Sequence, residues 1–132
     1  MSEFKLKIIY PKGIYFEDTV EICNVRTVEG QMGILANRLP FAGVLDIAEM
    51  NFVKKGERSH YFVSGGFVYV QKDGVTIITD AIENAKDIDL ERAKRAKERA
   101  EKRIQSKSSE IDMIRAELAL KRAITRINIK NL

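Results

Sequence analysis

From residue 88 to residue 132 the chain contains neither glycine nor proline, although eight glycines and two prolines occur before that point. Forty-five residues without a breaker, dominated by Ala, Lys, Arg and Glu, can form little except helix. The 87 residues before them show the opposite character. Short alternations of apolar and polar residues, as in Phe4-Lys5-Leu6-Lys7-Ile8, are the period-two pattern of half-buried strands. Val20-Glu21-Ile22 opens another that runs toward Val28, and Tyr61-Phe62-Val63, Phe67-Val68-Tyr69-Val70 and Val75-Thr76-Ile77-Ile78 follow. Turn signals separate them at Pro11-Lys12-Gly13, Glu29-Gly30-Gln31, Lys54-Lys55-Gly56-Glu57, Ser64-Gly65-Gly66 and Lys72-Asp73-Gly74. The spacing predicts an all-β sandwich or barrel. Asp73-Gly74 reads as a type I′ hairpin, and Gly65-Gly66 as a bulge or a close backbone approach.

The chain therefore divides into a β domain, 1–86, and a helical domain, 87–132. Charge divides with it. Residues 1–86 carry 10 Lys/Arg against 11 Asp/Glu, a net −1, while residues 87–132 carry 13 against 8, a net +5. A basic tail expects acidic company, whether nucleic acid, a nucleotide, an acidic protein face or anionic lipid. A single cysteine, Cys23, excludes an internal disulfide and a cysteine-built zinc site. The lone histidine, His60, has no nucleophile or metal set to work with, so a structural or surface role is expected of it, and of Cys23 a buried apolar one. Asp46 and Glu49 are expected to be solvated. No apolar run approaches the ~20 residues of a spanning helix, and the N-terminus lacks the features of a secretion signal. A reducing, cytoplasmic setting is the expectation.

Within the tail a polar, serine-rich stretch, Gln105-Ser106-Lys107-Ser108-Ser109, marks a break. The tail thus predicts an antiparallel hairpin of two helices, each of about 15–18 residues. Asp89 is placed to cap the first, with Ile88 and Ala93 as a hydrophobic staple, and Ser109 with Asp112 resembles a capping box for the second. At 100° per residue, Leu90, Ala93, Ala96, Ala100 and Ile104 share one face of the first helix. Arg92, Arg95, Arg99 and Arg103 share a neighbouring face. The second helix carries two apolar stripes. One is Ile111, Ile114 and Leu118; the other is Met113, Ala116, Leu120, Ala123, Ile124 and Ile127. Arg115, Arg122 and Arg126 lie between them. A hairpin partner can cover one stripe well, so the second needs another surface. Because helix stability comes mostly from packing, a tail this rich in alanine should detach at modest cost and dock elsewhere. Arginine forks match phosphate or carboxylate oxygens in pairs, and folding the hairpin brings Arg92 and Arg99 toward Arg122 and Arg126. A triphosphate or an acidic side-chain cluster would relieve their repulsion. No glycine-rich phosphate loop is present.

These residues resemble a known family along essentially the whole chain. Pro11-Lys12-Gly13, Glu29-Gly30-Gln31-Met32-Gly33-Ile34-Leu35, Pro40, Ser64-Gly65-Gly66-Phe67-Val68, Val75-Thr76-Ile77-Ile78 and Arg115-Ala116-Glu117-Leu118-Ala119-Leu120-Lys121-Arg122-Ala123 are similar, in order and spacing, to the epsilon subunit of the bacterial F-type ATP synthase. The resemblance implies an α+β chain, a flattened N-terminal β-sandwich followed by a C-terminal antiparallel two-helix hairpin. It implies a non-catalytic rotor subunit on the cytoplasmic face of the cell membrane. The gamma subunit and the membrane rotor ring would be its partners, with no direct membrane insertion. The hairpin would be a brake that extends toward the alpha/beta catalytic head and blocks ATP hydrolysis, with Arg115, Arg122 and Arg126 meeting acidic residues of the head. Some family members bind ATP in the folded state. Their pattern corresponds here to Ile88-Asp89-Leu90-Glu91-Arg92-Ala93, accompanied by Glu83, Arg99, Arg122 and Arg126. By resemblance Glu83, Ile88, Asp89 and Ala93 would serve the adenosine, and the arginines the phosphates, of a regulatory ATP; the resemblance does not specify magnesium. The sequence departs from the family pattern at Arg38, where histidine is common, and at Lys86, where an acidic residue is common. The competing reading is a β-sandwich with a basic hairpin that binds nucleic acid. The tail lacks the aromatic residues that stack on bases, and interspersed Glu and Asp dilute its charge. An enzyme is the remote third.

Overall fold

The computed structural model describes residues 2–106 and 109–132. It contains eight strands, a short 3-10 turn and two helices. The chain separates into two compact units, the first ending at Asn84 and the second spanning Ala85–Leu132.

The first unit is built from β1 (Phe4–Tyr10), β2 (Gly13–Val20), β3 (Ile22–Thr27), β4 (Gly30–Ile34), β5 (Phe41–Lys54), β6 (Glu57–Gln71), β7 (Gly74–Ile78) and β8 (Ile82–Asn84). Hydrogen bonds join them in the order β2-β1-β7-β6-β5-β3-β4, with β8 added against β6. Every pairing is antiparallel except β1 with β7. The ladder folds over on itself. Edge strand β2 is four places from β5 in the order, yet the Phe16 and Phe52 rings lie 4.6 Å apart, and Tyr15 meets Tyr61 edge-on at 6.1 Å. Two layers thereby enclose one core, in which Leu6, Ile8, Val20, Cys23, Met50, Val68, Val75 and Ile77 are fully buried. Alternation within each strand sends these residues inward, as the sequence implies. Cys23 takes the buried apolar position expected of it, and burial pushes its thiol up to about 12.

Several expectations are corrected. Residues 20–28 are not one strand. β2 ends at Val20 and β3 begins at Ile22, with the Glu21 N–H between them donating to the Val53 carbonyl at 2.8 Å. Ser64-Gly65-Gly66 does not separate two strands. β6 runs through it for 15 residues, and β5 opposes it for 14. Here the close-approach reading is the correct one, because the pairing register with β5 runs unbroken from Leu45–Gly66 to Ile47–Ser64. Gly65 and Gly66 have φ of +76° and +122°, and a Cβ on Gly66 would lie 1.9 Å from the Ile78 carbonyl oxygen. The glycine pair divides the partners of β6, which pairs with β7 beyond it and with β8 before it. Buried Thr79 bridges the gap, its hydroxyl donating to the Gly65 carbonyl at 2.6 Å. A hairpin does form at Asp73-Gly74, with Gln71 paired to Gly74 around Lys72-Asp73, but its turn is not type I′. Neither Asp73 nor Gly74 has positive φ; the two-residue loop with left-handed φ at both positions is Lys55-Gly56, between partners Lys54 and Glu57. Asp46 and Glu49 are half-buried rather than solvated. Asp46 accepts from the Ile47 N–H at 2.8 Å, and both Glu49 oxygens accept from Asn51 Nδ2 at 2.9 Å. His60 Nδ1 lies 3.6 Å from Glu49 Oε1. Arg38 points back into its own unit. It donates to the Ala36 carbonyl at 2.9 Å and the Gln71 carbonyl at 2.6 Å, and it stacks 5.0 Å over the Phe4 ring.

The second unit consists of the 3-10 turn Ala85–Asp87, α1 (Leu90–Gln105) and α2 (Glu110–Lys130). The second helix, at 21 residues, is longer than expected, because nothing in 110–130 interrupts it. Both caps form as read: Asp89 accepts from the Arg92 N–H at 3.1 Å, and Ser109 from the Asp112 N–H at 3.3 Å. Of the expected hinge, Lys107 and Ser108 lie outside the described residues.

Candidate functional site

The two helices pack together along a seam of small residues. The buried positions are Ala93 and Ala100 on α1, and Ala116, Ala123 and Ile129 on α2. The alanines lie seven apart on each helix, two turns, so they recur on one side and let the backbones approach closely. Four methyl groups contribute about 3 kcal/mol of burial at roughly 0.8 kcal/mol each, which is little more than one buried leucine. Met113, Leu120 and Ile127 flank the seam half-buried. The other stripe of α2 stays open: Ile111, Ile114 and Leu118 are 64%, 53% and 41% exposed. Ile124, grouped by sequence with Met113 and Leu120, is exposed as well, because it lies at the edge of the seam.

The helices run antiparallel. Lys130, at the end of α2, reaches the turn before α1 and donates to the Ala85 and Lys86 carbonyls at 3.2 and 3.0 Å. At 1.5 Å rise per residue this places Arg122 and Arg126 alongside the N-terminal half of α1, which carries Arg92, and Arg115 toward the far end. Arg92, Arg99 and Arg115 are exposed. Arg122 and Arg126 are half-buried and already engaged with other groups. Asp89 is exposed with one oxygen committed to the helix cap, and Ile88 and Ala93 are buried. Glu83 belongs to the first unit, on β8 opposite Phe62, and is half-buried and engaged. Seven of the eight residues expected at a nucleotide site therefore belong to the second unit. Lys130 was not singled out from the sequence, although a basic residue in a last helical turn is a recognised signal for binding exposed carbonyls.

Among the described residues there is no group of three or more side chains able to hold a metal ion, and no helix long and apolar enough to cross a membrane.

Comparison with known proteins matches both units. Residues 3–85 match the family model of the ATP synthase delta/epsilon chain β-sandwich domain, and residues 86–131 that of its long α-helix domain. The ATP synthase epsilon chain of Bacillus cytotoxicus is 41% identical over 132 residues, covering 100% of this chain and 99% of that one. The epsilon chain of Shouchella clausii is 42% identical over 129 residues, covering 98% and 96%. Among solved structures, a chain of the Euglena gracilis mitochondrial ATP synthase (OSCP/F1/c-ring, rotational state 1) superposes with a TM-score of 0.86. It is 26% identical, over 95% of this chain and 79% of that one. A chain of the Tetrahymena thermophila central stalk/c-ring assembly, at 12% identity and a TM-score of 0.74 over 98% and 97%, shares the fold. Two domain matches in chain order and relatives aligned end to end lead to one conclusion: the chain belongs to the ATP synthase delta/epsilon family.

Proposed function

We propose that this chain is the epsilon subunit of an F-type ATP synthase, a non-catalytic part of the rotor, with a helical hairpin that brakes ATP hydrolysis. In this reading the β-sandwich binds the gamma subunit and the membrane rotor ring, as a peripheral component on the cytoplasmic side. The full-length likeness to epsilon chains supports the assignment. The observation that carries the brake is the unequal treatment of the two stripes of α2. One lies in the seam with α1, while Ile111, Ile114 and Leu118 remain exposed. A helix that alternates between two docking surfaces needs one apolar face for each, and a small free-energy gap between them. The alanine seam keeps that gap small. In the extended state Arg115, Arg122 and Arg126 would meet acidic groups of the alpha/beta head.

ATP would act as a regulatory ligand that favours the folded hairpin. The residues present fit a nucleotide in their chemistry. Arg92, Arg99, Arg122 and Arg126 supply fork donors suited to phosphate oxygens, from two helices that the ligand would hold together. Ile88 and Ala93 are buried, so their part is to fix the backbone on either side of Asp89 rather than to offer a surface.

Removing residues 88–132 and reconstituting the complex tests the brake. ATP hydrolysis should rise while the sandwich remains folded; hydrolysis equal to that with the full chain would refute it.

A further inference from the structure

We infer that Lys130 is a latch that holds the hairpin shut, so that swinging the hairpin and unzipping it are separate events. The inference rests on the brake reading above and adds the contact that controls it.

The 3-10 turn Ala85–Asp87 leads into α1. Its carbonyls are of the kind that helix ends leave without an intrahelical donor. The Ala85 carbonyl accepts a long bond from the Ile88 N–H, at 3.4 Å. The Lys130 ammonium donates at 3.2 Å to the Ala85 carbonyl and 3.0 Å to the Lys86 carbonyl, across 45 and 44 residues of sequence. These are charge-assisted bonds, roughly twice as strong as neutral ones. They close the open end of the hairpin. The connection between the helices closes the other end, and between the two ends lies a seam of methyl groups.

Two consequences follow from the geometry. With Lys130 in place, both helices are tied to the same three-residue turn where the second unit begins. The hairpin can then move as one body. Separating α2 from α1, which extension along another surface requires, must first break the Lys130 bonds. Buried Ile129, the residue before the latch, would be uncovered in the same step. Unzipping should therefore begin at the C-terminal turn of α2.

The test compares Lys130→Met, which keeps the aliphatic stem and removes the donors, with Lys130→Arg, which keeps donors and charge. Hydrogen exchange is followed in the full-length isolated chain, and ATP hydrolysis in the complex reconstituted with each variant. Lys130→Met should raise exchange of the amides in 121–132 about tenfold, the scale of one charge-assisted bond part-screened by solvent, and leave the sandwich amides unchanged. It should also lower the hydrolysis rate, because the brake extends more readily. Lys130→Arg should restore most of both. Unchanged exchange in Lys130→Met overturns the latch. Faster exchange with unchanged hydrolysis keeps the latch and sinks the brake.

Discussion

Replacing Gly66 with alanine should be among the most damaging single-methyl changes in the first unit. The added Cβ would sit 1.9 Å from the Ile78 carbonyl oxygen and 2.9 Å from both the Ile78 carbonyl carbon and Thr79 Cα. All three are backbone atoms, so no side chain can swing away. Contacts of a Cβ under 3.0 Å are essentially never found, so β6 and β7 must separate by more than 1 Å where they meet. Overpacking of that kind costs about 1–3 kcal/mol. Holding alanine at a φ of +122° costs about 1–3 kcal/mol more. The sum, about 2–6 kcal/mol and centred near 4, is a large part of the total stability of a small domain. Gly65 is the internal control. Its φ is +76°, and its Cβ would come no closer than 3.5 Å to the Leu45 carbonyl oxygen, so alanine there costs only the backbone term, about 1–2 kcal/mol. Urea unfolding followed by tyrosine fluorescence reads the sandwich directly. The chain has no tryptophan, and three of its four tyrosines, Tyr10, Tyr15 and Tyr61, belong to the aromatic cluster of the first unit. At an m value of about 1.5 kcal/mol/M, Gly66→Ala should lower the midpoint by about 2.5 M and Gly65→Ala by about 1 M. A Gly66→Ala midpoint within 0.5 M of the parent, taking ~0.5 M as the resolution of such curves, would refute the reasoning, as would a reversed order of the two.

Three further outcomes are expected. Asp89→Ala should destabilise the helical unit by about 0.5–2 kcal/mol, seen in the far-ultraviolet melt, while Asp89→Asn keeps the cap; a drop in ATP binding in the asparagine variant alone would then report on the ligand and not on the helix. Arg92→Ala and Arg126→Ala should each weaken ATP binding by roughly 1.5–3 kcal/mol in calorimetry, and an unchanged affinity would remove that residue from the site. Cys23 should resist alkylation at pH 8 until the sandwich unfolds. Its thiol is raised in the folded state to about 12 from an ordinary 9.0, so the stability it contributes is complete below pH 9.0 and is lost as pH rises toward about 12; a native chain that reacts as fast as the unfolded one would contradict the burial.

What could be read from the sequence was what is decided locally. A cap needs only a side chain and an N–H three residues on, so Asp89 and Ser109 were legible. So was the split of α2 into two apolar stripes, which depends only on helical period. β5 was missed because its buried residues change phase: Leu45 and Ala48 are three apart, whereas Ala48, Met50 and Phe52 keep the spacing of two. The phase change falls opposite Gly65-Gly66, where the partner backbone takes positive φ, and one strand cannot reveal its partner's conformation. β2 was missed because it is an edge strand with Ile14, Tyr15 and Phe16 consecutive and only Val20 buried. Both hairpins form, but the left-handed turn falls at Lys55-Gly56 and not at Asp73-Gly74, because the register makes Gly74 a paired strand residue rather than a loop residue. At the candidate site, the arginines were legible as a pattern, but which of them are exposed depends on how the helices pack. Lys130 escaped notice because its acceptors are more than forty residues away.

The alanine seam has a kinetic consequence. Knobs of leucine or phenylalanine must be lifted out of their sockets and threaded back in whenever two helices part, and each such step adds to the barrier. Methyl groups present almost no relief to climb over. Helices joined this way can come apart and reseal quickly, with no wrong interdigitation to correct, so the speed of the exchange is left to the few polar contacts at its ends.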